Sequence, residues 1–225
     1  MFSAMNSPQD FAEPDWNARY VSGDTPWDTG QPSSELRRVV EETDELPRGR
    51  LLELGCGTGT NAIYLAERGF RVTAVDGAHE AIARANERVE RRGIDGPALP
   101  VSFHLANVVD LPSALEADYF EPFDVLFDRG CYHCVRRAGL GAFQAMLARV
   151  TRTGTLFLLL AGNANESREG RGPPTVSEAE LRADLGGLFE FVRVSEFRFD
   201  DIGDGSRPLG WSVLLKRGRG PGVGG

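Results

Sequence analysis

The sequence predicts a doubly wound α/β domain, a mostly parallel sheet of seven strands with helices on both faces and an antiparallel C-terminal strand. Three observations predict it. Strand-like and helix-like segments alternate from Arg50 onward, the pattern of parallel strands joined by right-handed crossovers. The apolar run Leu51-Leu52-Glu53-Leu54 opens into Gly55-Cys56-Gly57-Thr58-Gly59, and glycines at the carboxyl edge of a strand let backbone approach a ligand beside the positive end of the next helix. The following strand ends in Asp76, where an acidic side chain can accept hydrogen bonds from both hydroxyls of a ribose. Together these describe a nucleoside-binding site.

Each element has a local reason. Residues 1–14 are polar and expected to be flexible. Ser33 or Ser34 caps a helix to about Glu45, with Leu36, Val39 and Val40 on one face. The first strand spans Arg50 to Leu54, a helix follows from Thr60 to Arg68, and a second buried strand runs from Arg71 to Val75 into Asp76. A helix with a charged surface covers His79 to Arg92 and is broken by the two glycines and two prolines of Gly93 to Pro100. Val101 to Leu105 and Phe123 to Phe127 read as the third and fourth strands, and Gly141 to Val150 as a helix. A fully buried strand covers Thr155 to Leu160, and a short capped helix Ser177 to Leu185. Phe189 to Phe199 and Gly210 to Lys216 close the domain as two antiparallel strands. Residues 15–217 therefore form one domain, with 15–46 as an N-terminal covering segment and helix and 218–225 as a disordered glycine-rich tail.

Composition narrows the partners. A chain of 225 residues suits a single domain with a full core. Its net charge of −8 disfavours phosphate backbones and anionic lipid. The first residues lack a basic and apolar leader pattern, and no apolar run is long enough to cross a bilayer. Three cysteines, Cys56, Cys131 and Cys134, suit reduced thiols. A cytoplasmic protein follows, a monomer or weak dimer acting on a small molecule, with no nucleic-acid or membrane partner. Cys131-Tyr132-His133-Cys134 offers at most three ligands on one turn, too few to wrap a tetrahedral ion, so no metal is expected.

The glycine spacing separates two nucleoside readings. A dinucleotide loop wants G-x-G-x-x-G, whereas this one is G-x-G-x-G followed by Thr60. Glu53-Leu54-Gly55-Cys56-Gly57-Thr58-Gly59 resembles motif I of the class I S-adenosylmethionine-dependent methyltransferases, whose fold is the doubly wound one above. Phe123-Asp124-Val125-Leu126-Phe127-Asp128-Arg129-Gly130-Cys131 is similar to the fourth strand of the thiopurine S-methyltransferase family. Trp16 to Asp28 resembles the N-terminal segment that folds over the cofactor there, and its Thr25-Pro26-Trp27-Asp28 part resembles the plant-type thiol and halide methyltransferases. Gly172-Pro173-Pro174 and Arg207, four residues before Trp211, extend the resemblance, which runs as scattered motifs from Trp16 to Lys216.

The resemblance implies S-adenosylmethionine as cofactor and S-adenosylhomocysteine as product. It makes Trp16, Trp27, Glu53, Gly55, Gly57, Asp76, Asn107, Val108 and Arg129 candidates for cofactor contact. Many class I enzymes carry Asp where Asn107 stands; its amide suits the adenine edge, with the Val108 N–H near a ring nitrogen, and a loop-capping Asn is the alternative. Trp16 and Trp27 could equally staple the segment to the domain. For catalysis the candidates are Asp128 as proton acceptor or as the group orienting Arg129, Arg129 and Arg207 beside the acceptor, and His133 as base. Arg207 could also be a solvated turn residue. No Asn/Asp-Pro-Pro-Tyr follows the fourth strand, so the expected reaction is in-line methyl transfer to a small soft nucleophile, foremost a thiolate. A small-molecule O- or N-methyltransferase and a non-catalytic cofactor-binding module are the alternatives.

Overall fold

A computed structural model of the protein describes residues 14–93, 97–111, 121–167, 174–200 and 202–219. The expected loose N-terminus up to residue 13, the tail from residue 220 and the Gly172-Pro173 pair lie outside the described residues.

The strands are β1 (Arg50–Leu54), β2 (Arg71–Asp76), β3 (Val101–Leu105), β4 (Phe123–Arg129), β5 (Thr151–Asn163), β6 (Thr175–Val176), β7 (Phe189–Arg198) and β8 (Leu209–Arg217). They form one sheet in the order β3-β2-β1-β4-β5-β8-β7, with β6 on the end of β5. β1 to β5 pair in parallel, and β8 runs antiparallel to both β5 and β7. Both faces of the sheet are buried, so its central strands are nearly continuous apolar runs. On one face Leu52, Leu54, Leu126 and Leu159 join Phe143, Met146 and Leu147; on the other Leu51, Val125, Phe127 and Leu158 join Leu36, Val39 and Leu65. β1 pairs with β2 on one side and with β4 on the other. The strand order reverses there, and a crevice opens beyond the carboxyl ends.

The helices are α1 (Trp16–Ser22), α2 (Ser34–Glu42), α3 (Thr60–Glu67), α4 (His79–Gly93), α5 (Tyr132–Val150) and α6 (Glu178–Leu185). α6 starts as expected, with a reciprocal capping box between Ser177 and Glu180. Four features differ from expectation. α1 was not foreseen as a helix; Asp15 caps it by accepting the N–H of Ala18 at 2.9 Å. α2 stops at Glu42 because Thr43 turns extended and donates its hydroxyl to the Val39 carbonyl. α5 begins nine residues before Gly141, bends at Gly139 and so absorbs the Cys131 to Cys134 segment into its start. β5 is longer at both ends than the Thr155–Leu160 run, and its far end carries the two-residue β6.

Candidate active site

A cleft of about 2100 Å³ lies at the carboxyl ends of β1 to β4. Its floor is the glycine loop. Gly55, Gly57 and Gly59 have φ of 66°, 54° and 77°, a left-handed backbone that side chains resist. A Cβ on Gly55 would lie 2.7 Å from that of Cys131, and one on Gly57 would lie 2.7 Å from the Tyr20 hydroxyl. The glycines therefore serve the packing of the protein on its own loop as well as an approaching ligand. Asp76 holds the loop in place: one carboxylate oxygen accepts the Gly57 N–H and the other the Ala78 N–H, both at 2.8 Å. The Gly77 N–H bonds the carboxylate too, which leaves about one of its roughly four lone-pair sites for a further donor.

The N-terminal segment forms one wall. Trp16 and Trp27 meet edge to face at 5.7 Å, Trp27 donates its indole N–H to the Tyr20 hydroxyl at 3.0 Å, and Arg19 lies 4.2 Å over the Trp27 ring. The two tryptophans line the cleft and also pack with Tyr20, Ala78 and Ala81, which staples the segment to the domain. Two polar ties fasten the segment, Thr58 donating to Asp28 at 2.8 Å and the Glu80 N–H donating to the Asn17 side chain at 2.8 Å. Tyr20 and Asp28 were not singled out from the sequence. The place of Tyr20 one helical turn after Trp16 is the signal that points to it, and Asp28 carries none.

At the end of β3, Leu105 is 51% exposed and lines the cleft with Ala106, Asn107 and Val108. A large apolar side chain exposed beside a nucleoside-type floor offers a face for a flat ring, and sequence alone does not reveal it. Asn107 accepts the Val109 N–H at 3.1 Å through its side-chain oxygen. It is therefore a loop cap, and only its NH₂ remains to donate toward a ligand.

Two expected contacts are corrected. Glu53 does not line the cleft: it is 1% exposed, lies behind the loop and hydrogen-bonds Asn61, whose side chain does line the cleft. Burial, together with the charges of Asp128 and Asp76, lifts its pKa to about 8. Asp128 is fully buried, and its two oxygens accept the N–H groups of Cys131 at 2.9 Å and Tyr132 at 2.8 Å. It caps α5 and stands outside the cleft walls, so it cannot take a proton from an acceptor. Burial raises its pKa to about 7.

Beyond the loop the walls change character. Arg129 lines the cleft with its guanidinium 5.3 Å over the Phe199 ring. Arg198 pairs with Glu166 at 2.5 Å, while Arg207 stands exposed at the mouth between β7 and β8. His133 is buried on the first turn of α5, and its Nδ1 accepts the Gly162 N–H at 3.1 Å. That bond puts the proton of the neutral ring on Nε2, leaving a donor there and removing the lone pair a base requires. The expectation that His133 is a base is corrected on that ground.

The chain from residue 11 to residue 213 matches the family model described as thiopurine S-methyltransferase. The chain belongs to the thiopurine S-methyltransferase family. It is a methyltransferase of the S-adenosylmethionine-dependent type, with S-adenosylmethionine as cofactor. It is similar to a 2-heptyl-1-hydroxyquinolin-4(1H)-one methyltransferase of Mycobacteroides abscessus, 28% identical over 80% of this chain and 75% of that one. It is also similar to a probable thiol methyltransferase 2 of Arabidopsis thaliana, 29% identical over 73% and 68% of the two chains. Among solved structures, one described by the conversion of a disulfide bond into a thioacetal group during echinomycin biosynthesis superposes with a TM-score of 0.72 at 23% identity, covering 90% of each chain. The Burkholderia thailandensis 1,6-didemethyltoxoflavin-N1-methyltransferase gives 0.66 at 20% identity, covering 97% of this chain and 94% of that one.

The methyltransferase cleft fits this cofactor on its own evidence. Its volume exceeds that of a pocket for one small ligand, roughly 300–1,000 Å³, which leaves room for donor and acceptor together. Leu105 presents an apolar face, and Asp76 keeps acceptor capacity. Among the described residues no helix is long and apolar enough to cross a membrane.

Proposed function

We propose that this methyltransferase acts on a small thiol, which reacts as its thiolate. The observation that carries the reading is the chemistry of the acceptor half of the cleft, which is rich in cations and poor in bases. Arg129 and Arg207 line it. Of its acidic groups, Glu166 is paired with Arg198, and Asp204 is held below the ordinary carboxylate range by hydrogen bonds from Ser206. The His133 lone pair is taken by a backbone N–H. Such walls favour an acceptor that ionises without a strong base, and a thiol with a pKa of about 8.5 does so once a guanidinium favours its charged form. The relative described as a probable thiol methyltransferase supports the same acceptor.

S-adenosylmethionine, when bound, supplies an electrophilic methyl group on a sulfonium. This chain's residues supply the rest. The glycine loop, Asp76 and the 105–108 segment hold the donor, Arg129 and Arg207 hold the thiolate, and the Trp16–Trp27 wall keeps water out, so that the gain comes from alignment in a dry site. Asp128 acts at one remove by fixing the turn that carries His133. The test is a panel of thiols, halides, phenols and amines at several pH values. Turnover should be greatest for thiols and should rise with pH until the bound thiol is ionised; amines alone being methylated would overturn the reading. A second reading, an acidic hydroxyl acceptor, is supported by the relative whose name gives a hydroxyquinolinone, and turnover of the phenols above the thiols would select it.

A further inference from the structure

Three acidic side chains converge on the glycine loop. Asp76 from β2 holds the Gly57 N–H, Asp128 from β4 caps the turn at Cys131, which packs against Gly55, and Glu53 from β1 lies between them. Asp128 and Asp76 are among the charges that act on Glu53 and favour its neutral form, and Arg129 opposes them. Asn61 from α3 bonds it, and Asn61 in turn accepts the Ser33 N–H at 3.0 Å. Glu53 Oε2 has no partner among the described residues, although the oxygen is fully buried.

An ionised carboxylate in such a place is costly, and a buried acid without enough positive charge keeps its proton. Asn61, which bonds this acid, is among the residues that line the cleft. S-adenosylmethionine carries an ammonium, a sulfonium and a carboxylate, and S-adenosylhomocysteine the ammonium and the carboxylate. We propose that Glu53 is a proton-linked counter-charge for the cofactor, neutral in the free protein and ionised when the cofactor's positive charge enters the cleft, so that binding releases a proton. The proton leaves the Glu53 carboxyl for solvent; no covalent bond in the cofactor changes. Burial of the free acid agrees, since its pKa of about 8 keeps it protonated at neutral pH. This inference goes beyond the assignment of the acceptor and does not depend on it.

Calorimetric titration of the full chain tests it. S-adenosylmethionine, and separately S-adenosylhomocysteine, is titrated near neutral pH in buffers of different ionisation enthalpy. Release of about one proton is expected, with affinity rising by up to ~10-fold per pH unit below the free acid's midpoint. Glu53→Gln keeps the neutral shape and should abolish both the release and the pH dependence. Release with either ligand that disappears in the variant supports the proposal. No release in the parent protein, or release that survives Glu53→Gln, overturns it. If the variant does not fold, glutamate labelled with ¹³C at the carboxyl carbon decides the matter in the parent protein: one resonance should titrate near pH 8 when free and read as ionised with ligand. A resonance unmoved by the ligand overturns the proposal.

Discussion

The two halves of the cleft are made of different material. In the proposed reading the half that holds the donor is built mostly from backbone: three glycines with positive φ, N–H groups held by Asp76, and the start of α3. The acceptor half is built from side chains that reach in from separate places, Arg129 from β4, His133 from α5, and Arg198 and Arg207 from either end of the β7–β8 connection. A surface made of backbone changes little when side chains change, whereas one made of side chains can be recast by a few substitutions. The division explains how relatives that share a fold carry names with very different acceptors.

Substitutions sharpen or break that division. The largest effect is expected for Arg129→Ala, with turnover of a thiol falling ~10²-fold or more while cofactor affinity, measured by calorimetry, falls far less. Equal losses in both would move Arg129 into the donor half. Gly57→Ala should do the reverse. A left-handed alanine costs about 1–2 kcal/mol, and the new methyl group meets the Tyr20 hydroxyl, adding about 1–3 kcal/mol of overpacking. Thermal melting and cofactor affinity should both drop, and unchanged cofactor affinity would break the comparison.

A smaller effect concerns pH. Glu53 and Asp128 hold their protons to about pH 8 and about pH 7 in the folded protein, whereas their ordinary values are 4.5 and 3.8. The unfolded chain therefore gives up protons that the folded one keeps. Their contribution to stability is fully present below the unfolded values, declines as pH rises and is lost once the folded values are passed. Denaturant melts of the ligand-free protein should show this fall, and Glu53→Gln should flatten it. The smallest effect is expected at His133. His133→Asn keeps an acceptor for the Gly162 N–H, and turnover should stay within a few-fold, whereas loss of a true general base would cost ~10²–10⁴-fold.

Much of the donor half was legible in the sequence because it is local. Gly55 to Gly59 and Asp76 lie within one strand–helix–strand unit, and the ends of β1, α3 and β2 fall within a residue of expectation. The acceptor half was legible only as residue names. That Asp128 points inward follows from the N–H groups of a turn whose helical continuation was hidden by Gly139 and Gly141. The state of His133 is set by Gly162, a strand away. Leu105 reads as any strand leucine, and its exposure depends on an open crevice no local pattern encodes. α1 escaped because it is short and buries Tyr20 alone, so no core-facing stripe repeats along it.

The Gly203 N–H donates to the Pro26 carbonyl, which joins the β7–β8 connection to the N-terminal segment across the cleft mouth. An early and a late part of the fold thus meet over the site, while the glycine loop and Asp76 lie within one early strand–helix–strand unit. During synthesis the chain acquires a place for the donor long before it acquires a rim. Until the last hairpin pairs, the floor lies open to water, and methyl transfer waits for the contact between Pro26 and Gly203.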